Sequence, residues 1–125
     1  MIVDTSALIA VLRGENGSGI LLGKMLAAAD VRISAGTLVE ARMVAERDRG
    51  GGELAKLIAL IGSEIVPVDA DQAEIAHEGF RRFGKGRHRA ALNLGDLFAY
   101  ALARSADEPL LFIGGDFVHT DVVAA

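Results

Sequence analysis

The chain has 125 residues, no cysteine and a formal net charge of −4. This length excludes two independent cores, and the lack of cysteine excludes disulfides, thiolate metal ligands and thiol nucleophiles, so a metal would need oxygen or histidine ligands. No apolar run approaches the roughly 20 residues of a membrane span and no leader-like segment opens the chain, which predicts a cytoplasmic protein without a membrane partner.

Short apolar runs alternate with helical patterns along the chain. Residues 1–4 predict a strand that ends in a carboxylate, and residues 5–12 predict a helix that ends at Gly14. The further predicted elements are helix 18–29, strand 31–34, a helix through Leu38, Ala41 and Ala45 that ends at glycines 50–52, helix 53–61, strand 64–68, a helix capped by Asp69 that runs to Phe83, loop 84–89, helix 92–103, strand 110–113 and an edge strand at 122–125. This alternation predicts an α/β fold, with a mainly parallel sheet covered by helices on both faces, in one domain of residues 1–125.

Four carboxylates fall where predicted strands end or in the helix that follows: Asp4, Glu40, Asp96 and Asp116. The carboxyl ends of parallel strands meet at one edge of a sheet, and ligands bind outside that edge. Two carboxylates about 4 Å apart repel by roughly 4 kcal/mol at an effective dielectric constant of about 20, so such a cluster usually needs a cation. The sequence therefore predicts an acidic site at this edge.

Each of these carboxylates also has a purely structural interpretation. Asp4 fits the N-cap of the helix that follows it, and Asp116 fits an ordinary turn. Two pairs fit capping boxes: Thr37 with Glu40, and Asn93 with Asp96. For the set as a whole the capping interpretation is weaker, because four unrelated caps need not share one edge of the sheet.

Carboxylate ligands favour hard cations, so the predicted metal is Mg²⁺ or Mn²⁺. Two such ions can clamp an in-line displacement at phosphorus, and a metal lowers the pKa of its bound water, so no histidine has to act as the base. Thr5 and Ser6 can orient that water or a phosphate oxygen, although both also fit the capping of a helix N-terminus. The predicted chemistry is the hydrolysis of a phosphodiester.

Five of the 13 Lys and Arg residues fall in one short segment: Arg81, Arg82, Lys85, Arg87 and Arg89. A charge run is usually a solvated surface, but this basic segment lies just before Asp96 and also suits a patch that holds a nucleic-acid backbone. We favour the second interpretation. His77 and His88 are interpreted as surface residues, with a phosphate contact as the alternative for His88, and the role of His119 stays open.

The acidic residues and their neighbours resemble the PIN domain, and more narrowly the VapC toxins of bacterial toxin–antitoxin pairs. The resemblance spans nearly the whole chain and has four parts, in this order: Asp4-Thr5-Ser6, Glu40 in the helix after Ser34, Asn93-x-Gly-Asp96 with Tyr100, and Gly-Gly-Asp116-Phe117. It implies a three-layer α/β/α fold, Mg²⁺- or Mn²⁺-dependent cleavage of RNA, a homodimer, and inhibition by a VapB-like antitoxin.

The resemblance also implies roles for single residues. The acidic quartet that binds metal is matched by Asp4, Glu40, Asp96 and Asp116, with Asp4 and Asp96 as direct ligands. Ser6 and Asn93 match small polar residues beside the first and third acids, and Thr120 matches a residue that helps to hold the site. Asp121 is an additional acid, interpreted as a helix or turn cap. The family does not fix the RNA target.

Other functions fit parts of the same pattern. A phosphoacceptor signalling domain usually has paired acids after its first strand, where this chain has only Asp4, and a haloacid-dehalogenase-like phosphatase needs an Asp where this chain has Ser6. A catalytically silent PIN-like module that only binds RNA or protein is the third alternative, and the presence of all four acids argues against it. An apolar stripe is interpreted as core, with a dimer mate or an inhibitor segment as the alternative: Leu21, Leu22, Met25 and Leu26.

Overall fold

The computed structural model describes all residues, 1–125. Its six helices and four short strands confirm the predicted α/β alternation. In chain order the elements are β1 (Ile2–Val3), α1 (Thr5–Arg13), α2 (Ser18–Ala27), β2 (Arg32–Ser34), α3 (Ala35–Arg47), α4 (Gly51–Leu60), β3 (Glu64–Val66), α5 (Ala70–Phe83), α6 (Leu94–Ala106) and β4 (Leu110–Leu111). None of these helices combines the length and the apolar character that a bilayer crossing requires.

The four strands form one parallel sheet in the order β3-β2-β1-β4. Ile2 of β1 lies opposite Arg32 of β2 on one side and Leu110 of β4 on the other. Because the strands are parallel, their carboxyl ends share one edge of the sheet. Helices α1 and α3 begin at Thr5 and Ala35, immediately beyond β1 and β2, so their N-terminal turns open at that edge.

The sheet separates two apolar clusters. Val3, Ile33 and Leu111 pack with α1 to α4 in a cluster of 15 buried residues. Ile2 and Leu110 point to the other face and pack with α5 and α6 in a cluster of 11 buried residues. Successive strand residues point to opposite faces of a sheet, so β1 contributes one side chain to each layer. This arrangement confirms the expected three-layer α/β/α architecture.

The predicted capping box of Thr37 and Glu40 is wrong. Helix α3 begins earlier, because the Ser34 hydroxyl caps it by accepting a hydrogen bond from the Gly36 N–H at 3.3 Å. Thr37 is therefore fully buried within the first turns of the helix. Glu40 lies one turn further on and is free of capping, which leaves its carboxylate available to the edge of the sheet.

Several predicted element boundaries also differ from the structure. Strands 64–68 and 110–113 are shortened to Glu64–Val66 and Leu110–Leu111, and helix 92–103 lies at Leu94–Ala106. Glycines 51 and 52 do not end a helix; they begin α4, because burial of Leu54 and Leu57 outweighs the helix cost of about 1 kcal/mol per glycine. The edge strand expected at 122–125 is reduced to a single parallel bridge between Leu110 and Ala124.

Asp121 anchors the C-terminal turn to α5 and α6. Its Oδ1 accepts a hydrogen bond from the Tyr100 hydroxyl at 2.9 Å, and its Oδ2 accepts one from Arg82 Nη1 at 3.0 Å. Arg104 Nε lies 3.7 Å from the same Oδ2. Burial, reinforced by Asp121, raises the pKa of Tyr100 to about 12. Asp121 therefore links three segments and does not act as the cap that the sequence suggests.

We expect Asp121→Ala to lower the free energy of unfolding by about 1–3 kcal/mol, because it leaves the buried Tyr100 hydroxyl without its acceptor. Urea unfolding of Asp121→Ala, Tyr100→Phe and the double variant measures the link. Tyr100→Phe keeps the ring that packs against Gly79. The double variant should lose less than the sum of the single losses; additive losses would show that the two side chains are not coupled.

Candidate active site

Asp4 ends β1 and caps α1 with one of its two carboxylate oxygens. Its Oδ2 accepts hydrogen bonds from the Ser6 backbone N–H at 2.9 Å and from the Ser6 hydroxyl at 2.6 Å. Its Oδ1 is buried and has no hydrogen-bond partner. The capping and the functional interpretations of Asp4 are therefore both compatible with this geometry, because each uses a different oxygen.

Ser6 connects two strand ends. While its hydroxyl donates to Asp4, the same oxygen accepts a hydrogen bond from the Ile113 N–H at 3.0 Å. Ile113 follows β4, and the turn that contains Asp116 comes directly after it. The Ser6 side chain thus ties the loop that carries Asp116 to the carboxylate of Asp4.

Glu40 is brought to the same edge by contacts from α1 and α6. The Thr5 hydroxyl donates a hydrogen bond to Glu40 Oε2 at 2.7 Å. Gly95 lies so close that the Cβ of any other residue would overlap Glu40 Oε1. Glycine at position 95 therefore leaves the space that the Glu40 carboxylate occupies.

Asp96 belongs to a reciprocal capping box at the start of α6, as the sequence predicts. The Asp96 N–H donates to Asn93 Oδ1 at 3.0 Å, and the Asn93 N–H donates to Asp96 Oδ2 at 2.8 Å. This box engages one carboxylate oxygen and fixes the direction of the side chain. Asn93 thereby positions Asp96 at the edge of the sheet.

All four predicted acids line one cleft of ≈ 290 Å³. The cleft also includes Thr5 and Ser6, and its remaining lining residues are Ile9, Arg13, Glu15, Val44, Ile113 and Phe117. Five carboxylates and a single cation, Arg13, therefore surround this space. The lining of this cleft agrees with the prediction that the four acids share one edge of the sheet.

Burial and mutual repulsion favour the protonated forms of two of these acids. Desolvation by burial, followed by the nearby Glu40 carboxylate, raises the pKa of Asp4, although hydrogen bonds from Ser6 oppose the shift. Desolvation also raises the pKa of Asp96 to about 6, with further contributions from Asp4, Asp116 and Glu40. A cation in the cleft would reverse both effects, since it stabilises the charged carboxylates.

The donor set of the cleft fits a divalent cation such as Mg²⁺ or Mn²⁺. Hard cations take carboxylate oxygens, and the unpartnered, buried Oδ1 of Asp4 is a donor atom that the protein itself leaves unused. No three His, Asp or Glu side chains are arranged closely enough to form a ready-made ligand group. The fit therefore rests on the chemistry of the donors and on the unsatisfied oxygen of Asp4.

Other residues singled out in the sequence lie outside the cleft. The Thr120 hydroxyl donates to the Phe117 carbonyl at 2.7 Å within the C-terminal turn. His88 Nδ1 accepts from the Ala90 N–H at 3.1 Å, and its ring packs edge-on against Phe83. His119 is exposed. Thr120 contacts the site only through the turn that carries Phe117.

The basic segment is exposed, and its members have different surroundings. Arg82 pairs with Asp121, and Arg87 lies over the Phe80 ring at 5.1 Å from its centroid. Arg81 lies 3.6 Å from Glu78, in an exposed pair that contributes little to stability. Lys85 and Arg89 make no ion pair. The segment leads directly to the N-terminus of α6, where Asp96 lies.

Sequence reasoning missed Arg13, Glu15, Ile9 and Val44 as lining residues of the cleft. A signal for Ile9 and Arg13 was present, since they follow Thr5 at intervals of four residues and share one face of α1 with it. Val44 follows Glu40 by four residues on α3 in the same way. Those faces could be recognised only once α1 and α3 were known to lie side by side.

Comparisons with known proteins agree with this architecture. The PIN domain model matches residues 1–123. Ribonuclease VapC42 of Mycobacterium tuberculosis is 42% identical over 127 aligned positions, which cover 98% of this chain and 96% of the relative. Ribonuclease VapC of Mycolicibacterium smegmatis is 43% identical, with 99% of this chain and 98% of the relative covered. This chain belongs to the VapC family of PIN domains.

Solved structures place this VapC-family chain in the same fold at lower identity. The crystal structure of Mycobacterium tuberculosis VapC20, described as a Sarcin-Ricin loop cleaving toxin, is 22% identical with a TM-score of 0.77, and the match covers 99% of this chain and 97% of that one. A toxin–antitoxin complex from Klebsiella pneumoniae is 21% identical with a TM-score of 0.75, and covers 99% and 95% of the two chains. These likenesses confirm the PIN-like fold.

Proposed function

We propose that this chain is a Mg²⁺- or Mn²⁺-dependent endoribonuclease that hydrolyses RNA phosphodiester bonds in the acidic cleft. The observation that carries the proposal is the buried Asp4 Oδ1, which has no partner in a cleft lined by all four predicted acids. The names of its relatives, ribonuclease VapC and ribonuclease VapC42, support RNA as the substrate. A catalytically silent module would have no need to keep this costly group of charges.

The acids have distinct proposed roles. Asp4 and Asp96 hold the metal directly, each with the oxygen that its own cap leaves free, and Glu40 and Asp116 complete the acidic set. A bound metal would activate a water molecule as nucleophile and stabilise charge that develops on the phosphate. Thr5 holds the Glu40 carboxylate, and Ser6 holds that of Asp4, so neither acid has to be ordered when substrate binds.

Gly95→Ala tests the position of Glu40. The new Cβ would overlap the Glu40 carboxylate, so that group has to move and its hydrogen bond from Thr5 is disturbed, while alanine itself favours the helix. We expect cleavage to fall by about tenfold or more, with a change in the free energy of unfolding below about 1 kcal/mol. Cleavage rates and urea unfolding measure the two effects, and Gly23→Ala, where a Cβ meets no atom within 4 Å, is the matched control. Full activity in Gly95→Ala would remove Glu40 from the proposed site.

RNA must approach an acidic cleft, and the basic segment provides the opposite charge. Lys85 and Arg89 are exposed without ion partners, and they precede Asp96 by a short stretch of chain. We propose that they contact the RNA backbone, together with Arg81, Arg82 and Arg87. Phosphate contacts of this kind make binding strongly dependent on salt.

The biological role we propose is that of the toxin in a toxin–antitoxin pair, acting in the cytoplasm. The antitoxin would be VapB-like, and the toxin a homodimer. Two apolar surfaces support protein partners. A groove of ≈ 510 Å³ between α5 and α6 includes Leu94, which is 71% exposed. On α2, Leu21 and Met25 belong to the core, as expected, while Ile20 and Leu26 are exposed.

The proposed activity is tested by incubating the purified chain with a panel of structured and single-stranded RNAs in Mg²⁺, in Mn²⁺ and in EDTA. We expect defined cuts that require the metal. A panel left intact under every condition, by a chain that also fails to bind Mn²⁺, would contradict a metal-dependent nuclease. An intact panel together with binding of RNA would favour the silent RNA-binding module.

A further inference from the structure

The acidic cleft extends away from the acids along a channel between α1 and α3. One wall is the face of α1 that carries Thr5, Ile9 and Arg13, which are spaced four residues apart. The other wall is the face of α3 that carries Glu40 and Val44. With a rise of 1.5 Å per residue, the backbone of Arg13 lies about 12 Å from that of Thr5. The cleft therefore has an acidic end and an apolar middle, and its far end carries Arg13 beside Glu15.

Arg13 closes the far end of this channel and is the only cation that lines it. Its Nε donates a hydrogen bond to Asp48 Oδ2 at 2.7 Å, and its Nη1 lies 3.9 Å from Glu15 Oε1. All three side chains are about half exposed, with relative accessibilities of 48%, 40% and 47%. Exposed ion pairs of this kind contribute little to stability. Arg13 can therefore exchange Asp48 for another anion at small cost.

We propose that Arg13 binds a phosphate that flanks the one being cut, while Ile9 and Val44 contact the ribose or base between the two phosphates. The inference rests on the proposed ribonuclease activity and adds a residue that binds the substrate strand away from the reacting phosphate. Charge complementarity supports the proposal. An RNA strand that enters this cleft meets five carboxylates and only one positively charged side chain, that of Arg13. The guanidinium fork suits a phosphate, which it can bind through two parallel hydrogen bonds.

Three variants separate this role from a purely structural one. Arg13→Gln removes the charge, and Asp48→Asn removes the acid that competes for Arg13. Arg42→Gln is the matched control, since Arg42 is exposed, has no ion partner and lies on α3 only two positions from Glu40, on another side of the helix. A structural ion pair predicts that Arg13→Gln and Asp48→Asn lower the melting temperature equally and leave RNA affinity unchanged. A phosphate contact predicts that they change RNA affinity in opposite directions.

Binding is measured by fluorescence anisotropy of a labelled random-sequence RNA 12-mer, with each substitution placed in the Asp96→Asn chain so that binding is read without turnover. We expect Arg13→Gln to weaken affinity by about tenfold and to reduce the salt dependence of log Kd by about 0.7. Asp48→Asn should tighten affinity by about two- to fivefold. Arg42→Gln should match the unsubstituted chain within about twofold.

Cleavage kinetics in the otherwise unchanged protein give the second readout. Arg13→Gln should raise KM by about tenfold with kcat changed by less than about threefold, because a contact outside the reacting atoms is made equally in the ground state and the transition state. If Arg13→Gln and Arg42→Gln behave alike in both assays, the inference is overturned while the nuclease stands. If the Arg13 effect on binding appears in a chain that cuts no RNA, Arg13 contacts phosphate in a cleft that only binds RNA, and the proposed activity fails.

Discussion

Asp96→Asn is expected to reduce RNA cleavage by at least about 100-fold and, at the same time, to raise the melting temperature at pH 8 in EDTA by a few degrees. Burial raises the pKa of Asp96 to about 6, so its charge destabilises the folded state at pH 8. The amide of Asn removes that charge and keeps an oxygen that can accept the Asn93 N–H. Opposite effects on activity and stability are characteristic of a residue kept for catalysis.

Cleavage rates and circular-dichroism melts of the same preparations measure both quantities. Asn93→Ala is the informative companion, because it removes the acceptor for the Asp96 N–H and leaves the carboxylate in place. That variant should lose about 1 kcal/mol of stability and only part of the activity. An Asp96→Asn chain that is less stable than wild type and still cuts RNA would show that Asp96 acts as a cap alone.

The second large effect is a dependence of stability on pH that divalent metal reverses. The pKa values of Asp4 and Asp96 are higher in the folded protein than in the unfolded chain. At a pH between the unfolded and the folded pKa of either group, the folded protein therefore binds more protons than the unfolded chain. Without metal, stability is therefore greatest at low pH with respect to these two groups. It decreases as the pH rises from about 4, the ordinary carboxylate pKa, through the value of about 6 for Asp96.

Mn²⁺ should remove this loss above pH 6, because it binds the deprotonated carboxylates of the folded state. At a concentration of 100 times its Kd, a ligand adds about 2.7 kcal/mol to the free energy of unfolding. We expect the melting temperature in Mn²⁺ to exceed that in EDTA by several degrees at pH 8 and by almost nothing at pH 5. The double variant Asp4→Asn/Asp96→Asn should show no difference between Mn²⁺ and EDTA at either pH. A metal effect that survives in the double variant would place the metal elsewhere.

Much of the site follows from rules that act within short stretches of sequence. Strand alternation with helices predicts a parallel sheet, and a parallel sheet brings the residues after its strands to one edge. That is enough to place Asp4 and Asp116 near each other although more than a hundred residues separate them. The Asn93 and Asp96 capping box is likewise a local pattern, and its predicted geometry is present.

The parts that the sequence could not predict depend on how separate elements pack. Arg13 enters the cleft only because α1 lies beside α3, and no periodicity within α1 specifies that neighbour. Ser6 forms its hydrogen bond with Ile113, which follows the neighbouring strand β4, and the anchoring role of Asp121 requires α5, α6 and the C-terminal turn together. At Thr37 a local pattern was misleading, because Ser34 offers the same capping chemistry three residues earlier.

The measurement that tests the central claim most directly is the RNA cleavage rate as a function of Mn²⁺ concentration, compared with a Mn²⁺ binding isotherm of the same protein. We predict that both rise over the same range of concentration, and that Asp4→Asn, which can keep its cap on α1, weakens binding and cleavage together. Cleavage that persists in EDTA, or Mn²⁺ binding that Asp4→Asn leaves unchanged, would contradict a metal-dependent nuclease centred on the acidic cleft.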